Sequence, residues 1–167
     1  VFKNKNICIK IVNNMDIYVT RFNDLTYKEN KNWLLNHNEE GCIYGSPVKI
    51  STKILPNTYI IVLEMNNSTN KIEGFGLIKN KLNNKKCKIY SDNNYNRYIY
   101  NSNFRIDKDE ITDKYINAKI KEIEKLLFKS PYHCKRGHGI QRIPNFIKNI
   151  DDFDYIRFIR NVVKSKL

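Results

Sequence analysis

The chain has 167 residues, 41% of them hydrophobic and 28% charged, and its 30 lysines and arginines against 17 acids give a formal net charge of +13. That length and composition read as one globular domain, spanning 1–167, able to bury a core without disulfides or metal. No run approaches the ~18 apolar residues of a membrane span and no signal-peptide pattern opens the chain, so no membrane partner and an intracellular location are expected.

Elements are taken in chain order. The runs ICIKIV (7–12) and DIYVTRF (16–22) are β-branched and aromatic, with a turn signal between them, and predict two short strands. LTYKENKNWLLN (25–36) places Leu25, Trp33 and Leu34 at spacings suited to a short helix. TYIIVLEM (58–65), the polar connector NNSTN and KIEGFGLIK (71–79) predict a β-hairpin. Gly74 and Gly76 alternate in its second strand and leave one face bare for a helix, a strand or a ligand to approach. KKCKIY (85–90) and YNRYIYNSNFRI (95–106) predict further strands. Ile116, Ile120, Ile123 and Leu127 then recur at helical spacing behind Asp107, Asp109 and Glu110, acids that suit a helix N-terminus. Asp151 or Asp152 can cap a last helix whose apolar face is Phe153, Ile156, Ile159 and Val163 and whose other face carries Arg157, Arg160 and Lys164. The predicted class is α+β, a small curled sheet with flanking helices.

The positive charge points to a polyanionic partner. Part of it is coding bias, since Asn, Ile, Lys and Tyr abound while alanine occurs once, at Ala118; an AT-rich genome, such as that of a large DNA virus or a protist, imposes this on its proteins. Viral origin would place the protein in the cytoplasm, a viral factory or the virion. The six arginines of the second half (Arg97, Arg105, Arg136, Arg142, Arg157, Arg160) are a signal apart from lysine drift. Cys8, Cys42, Cys87 and Cys134 have no C-x-x-C spacing and read as reduced, mostly buried thiols.

The stretch HCKRGHGIQR (133–142) admits three chemistries. His133, Cys134 and His138 supply three metal ligands where a structural zinc site needs four, so no metal is expected. Cys134 with a neighbouring histidine would make a nucleophile only if its thiolate were stabilised and its base oriented, and no oxyanion loop or paired carboxylates accompany it. Phosphate binding fits every residue: Lys135 and Arg136 bring charge, Gly137 and Gly139 free the backbone N–H groups to face an anion, and His138 and Arg142 add donors. Against it stands a plain solvated basic loop.

From GSPVKIST through the hairpin, the chain resembles the PUA-like superfamily, the small β-barrel fold of PUA, ASCH, EVE and YTH domains. The likeness is to EVE and YTH modules, in which a helix with a tryptophan precedes an aliphatic hairpin ending in a G-x-G strand and a later aromatic strand. Trp33, the hairpin 58–79 and YNRYIYNSNFRI occupy those places in order, over residues 7–106. The chain departs from the YTH pattern in having a single tryptophan, and its helical, basic part 107–167 has no counterpart. The resemblance implies a PUA-like barrel and a nucleic-acid-binding module, RNA rather than DNA, whose pocket holds one splayed-out base between aromatic walls: Trp33 and either Tyr90 or Tyr95. Trp33 can equally be a core residue, and Tyr98 and Tyr100 read better as strand packing. The leading expectation is therefore a non-enzymatic RNA-binding module without cofactor, reading a modified or flipped-out nucleotide. Its phosphate grip would come from the 133–142 loop with Arg157, Arg160 and Lys164. The alternatives are a structural or assembly subunit with protein partners, and a small nuclease or nucleotide-modifying enzyme using His133, Cys134 and His138.

Overall fold

A computed structural model describes residues 12–131 and 133–167. In chain order they form β1 (Asp16–Phe22), α1 (Asp24–Asn36), β2 (Cys42–Ser46), β3 (Tyr59–Asn66), β4 (Lys71–Lys79), β5 (Tyr98–Ser102) and β6 (Arg105–Asp107). Then come α2 (Lys114–Lys129), β7 (Gln141–Arg142), β8 (Asn149–Ile150), β9 (Phe153–Asp154) and α3 (Tyr155–Lys164). The main sheet has the order β6-β4-β3-β1-β7, while β2 pairs with β5 and β8 with β9. The class is α+β, and the five-strand sheet does not close into the barrel that the resemblance implied. Its edge strands are three and two residues long and do not pair with each other; helices cover one face, and α1 with the separate β2–β5 pair covers the other.

β3 is buried from Ile60 to Asn66 because it is central and both its faces are covered, and its run from Tyr59 to Leu63 is the apolar pattern expected of a doubly buried strand. Parallel to it runs β1, in register from Asp16 opposite Ile60 to Phe22 opposite Asn66. A parallel pair needs a crossover, which here includes α1 and β2. Ile17, Val19, Ile61, Leu63 and Leu77 face one core with Ile120, Ile123 and Leu127 of α2 and Ile159 and Val163 of α3. Tyr18, Phe22, Ile60, Val62 and Ile78 face a second core with Leu34 of α1 and the β2–β5 pair. The C-terminal third is built into the same sheet through β7, where Tyr18 lies opposite Arg142.

Several expected elements shift. Of ICIKIV, residues 7–11 lie outside the described residues and Val12 is helical rather than extended. KKCKIY is not a strand: the amides of Ile89 and Tyr90 both donate to the side-chain oxygen of Asn96, at 2.9 and 3.0 Å, in place of a ladder partner. The caps lie later than predicted. Asp113 accepts from the Ile116 amide to start α2 and Asp154 from the Arg157 amide to start α3. Asp107 instead caps a short 3-10 turn, and Asp151 and Asp152 take left-handed conformations between β8 and β9. The buried face of α3 is consequently Tyr155, Ile159, Val162 and Val163.

The bare face of β4 is filled from two sides. A Cβ on Gly76 would stand 2.1 Å from the Tyr44 hydroxyl, and one on Gly74 would stand 2.7 Å from the Arg105 guanidinium. Both groups converge on Glu64 of β3, which is 2% exposed: Tyr44 donates to it at 2.8 Å and Arg105 holds it through Nε and Nη2. Gly76→Ala is therefore expected to destabilise by ~1–3 kcal/mol through overpacking, read as a lower urea midpoint at unchanged m.

Candidate nucleic-acid interface

The C-terminal end of β1 opens into a cleft of about 320 Å³. Thr20, Arg21, Phe22 and Asn23 form its floor and Leu25 and Thr26 of α1 one side. Tyr90, Ser91, Asp92 and Tyr95 stand opposite, and Lys135, Gly137 and Gly139 close it together with Asn67 and Gly45. Two segments singled out in the sequence, the aromatic pair Tyr90 and Tyr95 and the glycine-bearing basic loop, thus meet although they are forty residues apart.

The two tyrosines have different tasks. Tyr90 is buried, its hydroxyl accepting from the Asn30 amide at 3.1 Å while Asn30 also donates to the Ile43 carbonyl. Burial pushes its phenol well above the ordinary value, so it stays a neutral hydroxyl. Its ring meets that of Tyr95 edge to face, with centroids 6.2 Å apart, and Tyr95 is half-buried. Tyr90 is the support and Tyr95 the wall that a ligand can touch.

The basic loop is held from below by Arg21. This guanidinium donates from Nε to the Cys134 carbonyl and from Nη1 to the Gly139 carbonyl at 3.4 Å, drawing both ends of the 134–139 segment onto β1. Burial lowers its pKa from the ordinary value, an effect that Cys134 and Tyr95 partly offset. Lys135 is positioned twice, by Nζ on Asn70 Oδ1 at 2.8 Å and by its carbonyl on the Asn67 amide at 3.0 Å. Gly137 and Gly139 have φ of +123° and +69°, the region where a side chain strains the backbone, and a Cβ on Gly139 would strike the Ser46 hydroxyl at 2.2 Å. Arg136 and His138 are exposed on the same loop.

Other candidates lie elsewhere. Arg142 is exposed and paired with Asp16 at 2.6 Å, at the opposite end of β1 from the cleft. Arg160 is spent on structure, both Nε and Nη2 donating to the Met15 carbonyl at 2.9 and 2.7 Å. Arg157 is exposed and Lys164 half-buried on α3, and neither lines the cleft. Trp33 is half-buried in a different cavity, its indole stacked on His37 at 4.1 Å, and does not face Tyr90 or Tyr95. Its position at the far end of α1 separates it from the cleft.

Cys134 is 5% exposed, and burial raises its thiol pKa, the direction opposite to thiolate activation. Among the described residues no group of three or more His, Cys, Asp or Glu is placed to hold a metal ion. No helix among them is long and apolar enough to cross a membrane.

Sequence reasoning missed Arg21, Asn23 and Asn67. A signal for Arg21 was present, because residues 17, 19 and 21 share one strand face and a cation at the third of them breaks an otherwise core-facing series. No protein-family model, curated protein or solved structure matches the chain.

Proposed function

We propose that the chain is an RNA-binding module that holds one splayed-out nucleotide in the Tyr95 cleft. The observation that carries this reading is the convergence of an accessible aromatic wall with an anchored, cationic, glycine-bearing loop in one cleft. A single-stranded base stacks on Tyr95, and its phosphate lies against the 135–139 segment, where Lys135 and Arg136 supply charge and the exposed, left-handed Gly137 leaves the backbone open to an anion. Asn23 and Asn67 bring amides to the cleft, the groups that read base edges. The choice of RNA over DNA rests on the PUA-like resemblance, and a modified base is the finer form of the same proposal.

Filter binding with a single-stranded RNA of about four nucleotides tests it. Tyr95→Ala is expected to cost ~1–3 kcal/mol of affinity while keeping the urea midpoint. Lys135→Glu with Arg136→Glu is expected to abolish binding and to flatten the salt dependence, whose log–log slope falls by about 0.7 for each lost phosphate contact. Unchanged affinity in both variants rejects the cleft as an RNA site, and equal affinity for the matching DNA rejects RNA selectivity.

A further inference from the structure

A second cationic surface lies outside this cleft. Between β4 and β5, residues 79–88 read KNKLNNKKCK, and Lys79, Lys81, Lys85, Lys86 and Lys88 are all exposed. Among the described residues none of the five forms an ion pair; Lys79 lies over the Tyr59 ring, 4.9 Å from its centroid. Two cavities of about 300 and 410 Å³ open along this segment, and they share Asn83, Lys85 and Asn101, so they adjoin and together line a groove beside it. The stacked Trp33 and His37 rings line one end of it and Tyr59 the other. Glu39 and Glu40 also line the groove, so five cations face two acids and the balance stays positive.

We infer that this groove is a second track for single-stranded RNA, engaged by nucleotides flanking the one in the Tyr95 cleft. The inference takes its ligand from the function proposed above but rests on different residues. Unpaired lysines spaced along a groove neutralise a phosphate backbone, and the half-buried Trp33 ring at one end gives a base of any sequence a face to stack on. An acidic peptide would satisfy the lysines but has no comparable use for Trp33. The two sites lie at opposite ends of α1: Asn23, its cap, lines the cleft, and Trp33 and His37, in its last turn and cap, line the groove. Thirteen helical residues span about 20 Å, a distance that a strand of about twelve nucleotides bridges while filling both sites and one of about four reaches only when fully extended.

Trp33 is the single tryptophan of the chain, so its fluorescence reports on the groove alone. An RNA of about twelve nucleotides, of mixed sequence, is expected to quench it and to bind at least tenfold more tightly than one of about four. Lys81→Glu, Lys85→Glu and Lys88→Glu together are expected to remove the quenching and that tenfold gain, leaving the shorter RNA bound as before. The three Lys→Gln changes, which remove the charge without adding an opposite one, should give the same result more weakly. Tyr95→Ala is expected to leave the quenching by the longer RNA in place, so failure of the cleft and failure of the groove read out separately. Unquenched Trp33 at saturating RNA, or wild-type affinity of the lysine variants for the longer RNA, overturns the inference. Quenching by a poly-glutamate peptide but not by RNA overturns it in favour of a protein partner.

Discussion

Arg105→Met is expected to destabilise the protein by ~3–5 kcal/mol, the largest effect of any single substitution outside the apolar core. Glu64 sits in the middle of the sheet on β3, and among the described residues Arg105 is its one ion-pair partner, reaching it from the edge strand β6 at 2.7 Å with the Arg105 side chain only 8% exposed. Removing the guanidinium leaves a buried carboxylate with one neutral donor, Tyr44. It also releases Asp107, the other acid held by Arg105. A second replacement, Glu64→Leu, in the same chain should restore much of the loss, because two apolar side chains of similar volume need no partner. Equilibrium urea denaturation of the two single variants and the double variant measures this coupling; an Arg105→Met midpoint equal to that of the wild type would show the pair to be dispensable. Asp107 adds an acid limb. Burial opposes its charge, but the bond from Arg105 and the Asp109 amide outweigh it and hold its carboxyl below the ordinary value. Its contribution is therefore complete above the ordinary aspartate range and is lost as pH falls through the depressed value.

That network explains why some of the fold was legible and some was not. Alternation of Gly74 and Gly76 announced a close approach, and local patterning placed β1, the β3–β4 hairpin and α2, whose apolar residues are the ones they bury; α1 was placed too, although it buries Asn30 with Leu34 and leaves Leu25 exposed. What periodicity cannot carry is the identity of the approaching group, since Tyr44 and Arg105 come from strands thirty residues away on either side. The same reason accounts for KKCKIY. Its composition is strand-like, but one side chain, Asn96, takes the two amides a strand partner would have needed, and a side-chain competitor leaves no periodic trace. Caps lay two to six residues beyond the expected acids because Asp107, Asp109, Asp113, Asp151, Asp152 and Asp154 are equally good acceptors in isolation. Only the geometry of each turn decides among them. Within the candidate site, glycines and cations marked the loop, but its seat on β1 depends on Arg21, whose partners are 113 and 118 residues away.

Arg21→Met is accordingly expected to lower affinity for a short single-stranded RNA by ~10–100-fold, more than Arg136→Ala, although Arg136 is the more exposed cation. Arg136 brings charge to the loop from its surface. Arg21 determines where the loop is, since its two carbonyl partners, on Cys134 and Gly139, bracket Lys135, Arg136, Gly137 and His138. Losing two hydrogen bonds from a charged group costs ~1.5–3 kcal/mol each at most, with the freed carbonyls partly rehydrated, so the variant folds with a lower midpoint while its loop leaves β1. Arg21→Lys separates charge from geometry. A lysine keeps the positive potential at the cleft floor but lacks the fork that spans two carbonyls. The salt dependence of RNA binding should then stay near that of the wild type while the affinity remains depressed, because the phosphate contacts still form but the loop must be ordered each time RNA binds. Full recovery of affinity in Arg21→Lys would mean that Arg21 acts as a charge beside the ligand, and the loop would then be rigid through its glycines and Lys135 alone.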